Sequence, residues 1–374
     1  MGGAERALTD LVTRLAADRF APVVSSLQPC PRGPARALVQ ELHAAGIPVE
    51  FLNARVAMQA PAVIWSLVRW LRRHQPTILQ TFLFHANAVG AVAGRLAGVP
   101  NVVTGIRVAE RRPNLHHWVT RRTARWVRYH VCASQAVADF ARQTGGLPAD
   151  RLVVIPSGID PARYRARAPA RLTDLGVPAG RRAMLYAGRL VQQKGVDWLL
   201  ERAVEILACL PDHDLLLVGR GPEQPRLERL AANLGIRRRV HFAGWHAHLI
   251  DIMRASDLVV LTSRWEGMPR VVLEAMASGR PVVATEVEGV AELLGEQAPG
   301  QLVPALDGAA FVAAVVALAR NQRLAAEIGR GNERRAAEAF PIARTVAAYG
   351  RLYQSLIDRP AGVLASVPIT KNVT

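Results

Sequence analysis

The chain is predicted to fold as two doubly wound α/β domains, each a parallel sheet flanked by helices. Short Val/Ile/Leu-rich runs alternate with longer helical patterns along the 374 residues. Several runs are apolar almost without interruption, as expected of parallel strands buried on both faces. The cadence occurs twice, on either side of a Pro-, Ala- and Arg-rich stretch at 161–182 with no clear period. Half of the residues are hydrophobic and 5% aromatic, which suits an Ala/Val/Leu-rich α/β protein and argues against disorder. The length accommodates two cores.

In order along the chain, the opening MGGAER places a glycine pair ahead of a helical pattern (Ala7, Leu8, Leu11, Val12, Leu15). It reads as the turn between a strand and a helix, yet no strand precedes it. Strands are expected at 78–83, 101–106, 129–133 and 152–155, then at 183–187, 214–218, 240–243, 258–262, 281–284 and 301–304. Helical patterns separate them, among them 225–234 and 269–278, and a last one covers 342–357. The expected domains are therefore 1–165 and 183–341, with a linker at 166–182. The C-terminal helix at 342–358 is expected to pack back on the first domain, ahead of a loose tail at 359–374. Two such sheets facing a central cleft would bring the carboxyl ends of their strands together, where ligands meet loops and helix N-termini.

Composition narrows the classes of function. Glu5, Arg6, Asp10, Arg14, Asp18 and Arg19 interrupt the first thirty residues, so no signal-peptide apolar region is present there. The longest apolar stretch, 86–103, is broken by Arg95, Pro100 and Asn101 and is too short to span a bilayer. Cys30, Cys132 and Cys209 are an odd count without metal-ligand spacing, which implies reduced, inert thiols, a cytoplasmic protein and no metal site. The net charge of +17 invites a nucleic-acid reading. Of the 47 basic residues, however, only Lys194 and Lys371 are lysine, and an arginine bias of that kind reflects codon composition. No interleaved aromatic stripe or nucleic-acid motif accompanies it. A phosphate-bearing substrate or an anionic membrane surface fits better.

Two stretches carry chemistry. In LYAGRLVQQKGVDWLL, Gly188-Arg189 ends a strand and Lys194-Gly195 precedes a helix. Glycine lets the backbone approach a ligand, and the two cations supply charge where a diphosphate could sit. The alternative is a solvated loop with two ordinary surface cations. In SRWEGMPRVVLEAMASGRPVVAT, Glu266 lies in a loop, Pro269 suits the first turn of a helix, and Glu274 falls inside that helix. Glu274 has Val271, Val272, Leu273, Ala275 and Met276 around it, a costly neighbourhood for an unpartnered carboxylate. It either accepts hydrogen bonds from ligand hydroxyls, with Glu266 gripping another part of the ligand, or lies on a solvated helix face. Asp212-His213-Asp214 spells a D-x-D metal signature but sits before a strand, at the wrong end of the sheet. Gly219-Arg220-Gly221 is only a fragment of a dinucleotide fingerprint and reads as a turn lining the cleft.

Over nearly its whole length the chain resembles the family 4 retaining glycosyltransferases of the GT-B fold. The resemblance is carried by GGAER at the start, QTFLFHANAVG at 80–90, VCASQAVADF at 131–140 and VIPSGIDPARY at 154–164. It continues with YAGRLVQQKG at 186–195, LLLVGRGPE at 215–223, VHFAGW at 240–245 and the E-x7-E string from Glu266 to Glu274. It implies that Arg189 and Lys194 contact the donor diphosphate beside Gly188. It implies further that Glu266 and the amides of Gly267 and Met268 hold hydroxyls of the donor sugar. The helix N-terminus at Arg270 and Val271 would meet the phosphates, Glu274 the ribose, and Gly244, in VHFAGW, the base. His85 matches the family's histidine near the sugar's reactive end, with a structural histidine as the alternative, and Gly3 would lie by the donor phosphates or the acceptor. Fixed cations and amides aimed at the leaving diphosphate would act without a metal.

The implied activity is transfer of a sugar, with retention, from a UDP-, GDP- or ADP-sugar to a glycan or lipid-linked acceptor in cell-envelope or exopolysaccharide biosynthesis. No cofactor is expected. A nucleotide-sugar epimerase of the same fold and a catalytically silent nucleotide-binding partner are the alternatives. The resemblance also explains the opening turn: in the family a strand in the middle of the first sheet precedes it, so this chain is expected to begin just after that strand. A core strand is worth more than the roughly 5–15 kcal/mol a domain has to spare, so a start placed too late is the expected reason, the alternatives being that the family tolerates the gap or that another segment fills it. Finally, Arg121, Arg125 and Arg128 are expected on one helical face beside Trp118 and Trp126, and IWSLVRWLRRH at 64–74 repeats the theme. Either these helices dock peripherally on the inner face of the plasma membrane or they are solvated, with core tryptophans.

Overall fold

The computed structural model describes residues 3–31, 33–54, 60–111, 115–165 and 168–358. The tail expected at 359–374 and residues 166–167 of the expected linker lie outside these. The elements run α1 (Gly3–Val12), β1 (Val24–Ser26), α2 (Ala37–Ala44), β2 (Val49–Phe51), α3 (Ala60–His74), β3 (Ile78–Phe82), α4 (Phe84–Ala97), β4 (Asn101–Ile106), α5 (Leu115–Ala124), β5 (Tyr129–Cys132), α6 (Gln135–Gln143) and β6 (Leu152–Val154). They continue α7 (Ala162–Arg165), β7 (Arg182–Ala187), α8 (Val196–Cys209), β8 (His213–Val218), α9 (Gln224–Asn233), β9 (Val240–Gly244), α10 (Leu249–Ala255), β10 (Leu258–Leu261) and α11 (Arg270–Ala277). The last are β11 (Val282–Thr285), α12 (Val290–Leu294), β12 (Leu302–Val303), α13 (Gly308–Arg320), α14 (Gln322–Ala339) and α15 (Ile342–Asp358). No helix among the described residues is long and apolar enough to cross a membrane.

Two compact units emerge, 1–158 with the C-terminal helix α15, and 159–341. The first domain was expected to run to residue 165. Instead, residues 159–165 hold to the second unit, where Ile159 donates to the Phe340 carbonyl at 2.8 Å and Arg254 donates to that of Tyr164 at 3.1 Å.

In the first unit, β3, β4, β5 and β6 lie in sequential parallel order, and β1 and β2 form a separate parallel pair. Strand alternation splits the core between two faces. Val103, Tyr129 and Val131 pack against Leu11 of α1 and against Tyr349, Leu352, Tyr353 and Leu356 of α15. Val102 points the other way, to Ala91 of α4, while Leu79 meets Leu67 of α3 and Cys132 meets Val137 of α6. So α1 and α15 cover one face and α3 to α6 the other. β1 and β2 were not anticipated: three residues each, reading VSS and VEF, they carry no apolar run.

One expectation about this unit is overturned. α5 ends at Ala124, so Arg121, Arg125 and Arg128 do not share a helical face. The chain leaves the helix in a turn, with the Trp126 amide on the Thr123 carbonyl and that of Arg128 already on Val102 of β4. Arg151 terminates the helix, its guanidinium donating to the carbonyls of Ala124 and Val127 at 3.1 and 3.3 Å.

The second unit has one six-stranded parallel sheet in the order β12-β11-β10-β7-β8-β9. Its core joins Met184, Tyr186, Leu215, Leu217 and Val260 of the sheet to Leu199 and Ile206 of α8, Leu227 of α9 and Phe311 and Val315 of α13. The chain leaves the sheet in one direction after β7 and in the other after β10, so strand order reverses between these two neighbours. In such sheets ligands bind at the carboxyl ends flanking that reversal.

A buried histidine in the first unit gives a test of its packing. His130 on β5 bonds Thr104 through Nδ1 at 2.7 Å, while its Nε2 is buried without a hydrogen-bond partner. Burial, reinforced by Arg151, pushes its pKa down from 6.5 to about 4. Between these values the unfolded chain binds a proton that the folded chain refuses, so stability rises with pH across the window. Fully traversed, the 6.5-to-4 span amounts to about 3 kcal/mol. Acidification through it should lower the melting temperature of the wild type more than that of His130→Gln, and equal slopes would show that His130 is not held neutral by burial.

Candidate functional site

The loops after β7 and β10 meet at the reversal, and glycine permits the meeting. Gly195, at φ +60°, lies in the left-handed region, and a Cβ there would overlap the Thr262 carbonyl. Thr262 returns the contact, its hydroxyl lying 3.3 and 3.2 Å from the Lys194 and Gly195 carbonyls. The Arg264 amide donates to the Gln193 carbonyl at 2.8 Å, and the Gln193 side-chain amide to the Trp265 carbonyl at 3.0 Å. Arg264 adds a two-pronged contact to Asp197, at 2.9 and 3.0 Å. Although burial opposes ionisation, these hydrogen bonds hold the Asp197 carboxyl below the usual range.

This interlock places Lys194 on Glu266. The ammonium donates to Oε1 of Glu266, which also accepts from the Ser263 hydroxyl at 2.6 Å. Glu266 is 5% exposed, so the carboxylate is held in place rather than left to sample solvent. Its own amide donates to the Glu288 carboxylate at 3.0 Å. Arg189 is exposed at the rim, 3.4 Å from the Gln193 side-chain oxygen. Its carbonyl accepts from the Tyr186 hydroxyl at 3.0 Å. Burial, then the nearby Glu266, drives the Tyr186 phenol far above its usual range, so it stays protonated and keeps its proton for that bond.

The helix that follows is α11, entered through Pro269. Gly267, Met268 and Pro269 are buried beneath its first turn, and Gly289, at φ +78°, packs so closely that a Cβ would overlap the Gly267 carbonyl. Arg270 and Val271 form the first turn, where N–H groups fall outside the helix's own ladder. Glu274, half-buried one turn on, accepts from Arg270 Nε at 2.9 Å. That pair answers the cost of placing a carboxylate among Val272, Leu273 and Met276. The remaining rim is again glycine: the Gly188 amide bonds the Val218 carbonyl at 2.9 Å and that of Gly219 the Gly244 carbonyl at 2.7 Å. A Cβ on Gly219 would overlap the Gly188 carbonyl. Thus Gly188, Arg189, Lys194, Glu266, Gly267, Met268, Arg270 and Val271 lie on the loops or first helical turn at the carboxyl ends of β7 and β10, with Gly244 the last residue of β9 and Glu274 one turn into α11.

Asp212-His213-Asp214 sits at the opposite, amino end of β8. Asp214 is buried and taken up by Arg181 and His241, each at 2.7 Å, with Arg239 at 3.4 Å, which ties β7, β8 and β9 together. In the first unit, Gly3 is the exposed first residue of α1. His85 is exposed on the first turn of α4, near Phe84, whose ring stacks on His116 at 3.7 Å. The preceding Leu83 has φ +73° and ψ +155°, a conformation that ordinarily requires glycine.

Three residues escaped the sequence reading: Gln193, Ser263 and Glu288. Ser263 and Gln193 adjoin motif residues and could have been found there. Glu288 lies 22 residues from the amide it accepts, in a different loop, and nothing in the chain marks the pairing.

A family model described as glycosyl transferases group 1 matches residues 181–321, and one described as glycosyltransferase family 4 matches residues 1–163. The chain is 32% identical over 249 residues to the lipopolysaccharide core biosynthesis mannosyltransferase LpsB of Rhizobium meliloti (strain 1021), covering 63% of this chain and 70% of that protein. It is 32% identical over 242 residues to an alpha-D-kanosaminyltransferase of Streptomyces kanamyceticus, covering 59% and 63%. Among solved structures, it matches Anabaena Alr3699/HepE, crystallised with UDP and glucose, with a TM-score of 0.81 at 24% identity, covering 95% and 96%. That likeness establishes the fold.

Gly195→Ala tests the interlock directly. The added methyl must move the Thr262 carbonyl and also strain the backbone, which together should cost about 3 kcal/mol. Denaturant unfolding of the purified variant measures this, and a loss within error of zero would mean that the two loops are not locked.

Proposed function

The chain belongs to the group 1, family 4 glycosyltransferases, and from that premise we propose that it transfers a hexose from a nucleotide-diphosphate sugar to a glycan or lipid-linked acceptor, with retention and without a metal ion. The observation that carries this reading is the cluster at the strand reversal of the second unit: two cations on the loop after β7 and a buried carboxylate and a helix N-terminus after β10, joined by the Lys194–Glu266 pair. The naming of LpsB for lipopolysaccharide core biosynthesis supports an acceptor in the cell envelope. The crystallisation of Alr3699/HepE with UDP and glucose supports a uridine or related nucleotide donor.

In this mechanism the anomeric carbon exchanges its bond to the diphosphate oxygen for one to an acceptor hydroxyl oxygen, whose proton leaves with the diphosphate, and negative charge grows on the departing phosphate oxygens. Lys194 and the first-turn amides of α11 are held in place before the reaction, so they stabilise that charge with little reorganisation, and Arg189 adds its charge from the rim. Glu266 and the amides of Gly267 and Met268 orient the sugar hydroxyls, Glu274 accepts from the ribose, and Gly188 and Gly244 let the backbone approach phosphate and base. Without donor, Lys194 and Glu266 satisfy each other; binding exchanges that pair for phosphate on one side and hydroxyl on the other. Glu288 sets the position of Glu266 by holding its amide.

Each charge-assisted hydrogen bond contributes about 1.5–3 kcal/mol. Calorimetric titration with UDP-, GDP- and ADP-sugars should therefore show one preferred nucleotide, with Lys194→Ala and Glu274→Ala each weakening it roughly tenfold to a hundredfold. Binding of all three donors unaffected by both substitutions would remove the site. A second measurement addresses His85, which we assign to the reactive end of the sugar. Substitution by alanine at this exposed position should cut turnover far more than donor affinity, and unchanged turnover would exclude it from the chemistry.

A further inference from the structure

In the first unit, β3, β4 and β5 are consecutive parallel neighbours, so the helices that connect them run side by side in one direction. α4 packs against both α3 and α5. Near their C-terminal ends, Arg72 of α3 donates to the Leu96 carbonyl of α4 at 3.0 Å. The outer surface of this layer is unusual in two independent ways.

The first is apolar exposure. Trp65 of α3 is 60% exposed, Trp118 of α5 55%, Leu115 67% and Leu96 48%. Both tryptophans fall in the N-terminal halves of their helices, at the end of the layer where His85 begins α4. A tryptophan left in water forgoes a large burial energy, and two on one layer, each followed by arginines on its helix, mark a surface that meets something.

The second is charge. From residue 51 to residue 138 the chain has twelve arginines and a single carboxylate, Glu110, a net of +11 out of the total of +17. The other 286 residues hold 29 carboxylates. A codon bias toward arginine does not deplete aspartate and glutamate from one quarter of a chain, and α3, α4 and α5 themselves carry six of these arginines and no carboxylate. Arg69, Arg72 and Arg73 on α3, Arg95 on α4 and Arg122 on α5 are exposed. Arg122 also lies over the Trp118 ring, 5.2 Å from its centre, which joins the two features.

We propose that this layer is a docking surface for an anionic lipid bilayer, independently of the identity of the donor. Trp65, Leu115 and Trp118 enter the interfacial region, where amphipathic rings are favoured, and the arginines rest on lipid phosphates. Exposed leucines beside the tryptophans favour hydrocarbon over nucleic acid, because a leucine offers a base no stacking face. Arginine suits the phosphodiester, to which its planar fork donates in pairs.

The test is sedimentation of the full chain with vesicles of phosphatidylcholine alone and of phosphatidylcholine mixed equally with phosphatidylglycerol, at low and raised salt. The chain should sediment with the mixed vesicles only, and less at raised salt. Two variants confined to exposed side chains separate the contributions: Trp65→Ala with Trp118→Ala, and Arg69→Glu with Arg73→Glu and Arg95→Glu. Each should reduce partitioning at least about tenfold. Equal binding to both vesicle types overturns the proposal. So does a tryptophan variant that binds like wild type while duplex DNA displaces the vesicles, because the surface would then be a general polyanion patch.

Discussion

At the carboxyl ends of β7 and β10, Gly195 lies against the Thr262 carbonyl, and Lys194, Glu266, Arg264 and Asp197 are arranged around that approach. With any side chain at 195, the loops bearing Lys194 and Glu266 would move apart. Their ion pair, the contacts of Gln193 and the Arg264–Asp197 fork all span the same two loops. Gly289 repeats the device one loop further on by letting Glu288 come under Glu266. Fixing charged groups in advance in this way is what electrostatic catalysis requires, since groups that must reorganise lose most of their advantage. It also explains why an otherwise arginine-rich chain uses lysine here. A compact ammonium fits beside a buried carboxylate that a Ser263 hydroxyl already occupies, whereas a guanidinium fork needs a wider opening.

Charge in this protein therefore does two kinds of work. At the strand reversal a few groups are partly buried and paired, so their interactions are short-ranged and resist salt. On the α3–α5 layer many arginines are exposed with hardly a carboxylate among them, and their field is collective and screened over roughly 10 Å. A total of +17 conceals the distinction. It is visible only when the positions of the acids, rather than of the bases, are followed along the chain.

Much of this was legible in the sequence, for identifiable reasons. A strand such as β10, reading LVVL, is buried on both faces, so it reads as an uninterrupted apolar run and fell where expected. β1 and β2 are three residues long and half-buried, with Ser25, Ser26 and Glu50 in them, and carry no such mark. The motif loops of the second unit were found because glycine and charge recur at short spacing. Glu288 was not, because its partner is the amide of Glu266, and a backbone amide leaves no trace in a sequence. The helical face drawn through Arg121, Arg125 and Arg128 failed for a related reason: α5 is stopped by Arg151, some 27 residues beyond Ala124, and periodicity cannot register a terminator from elsewhere in the chain.

The turn before α4 supplies a physical reason to keep His85 in the mechanism. Leu83 holds a left-handed backbone with ψ +155° while 41% exposed. Strain of that kind costs about 1–3 kcal/mol in a non-glycine residue, and a half-exposed leucine recovers little of it through burial. The surrounding structure over-determines the turn. The Thr81 hydroxyl bonds the Asn87 side chain at 2.7 Å, and Asn87 donates to the Gly105 carbonyl at 3.0 Å. Gly105 itself has no room for a Cβ beside Phe82. An unstrained turn would start α4 at a different angle and direct His85 elsewhere. Strain that persists at an exposed position, maintained by part-buried polar contacts and a glycine on the neighbouring strand, supports the role proposed for that histidine.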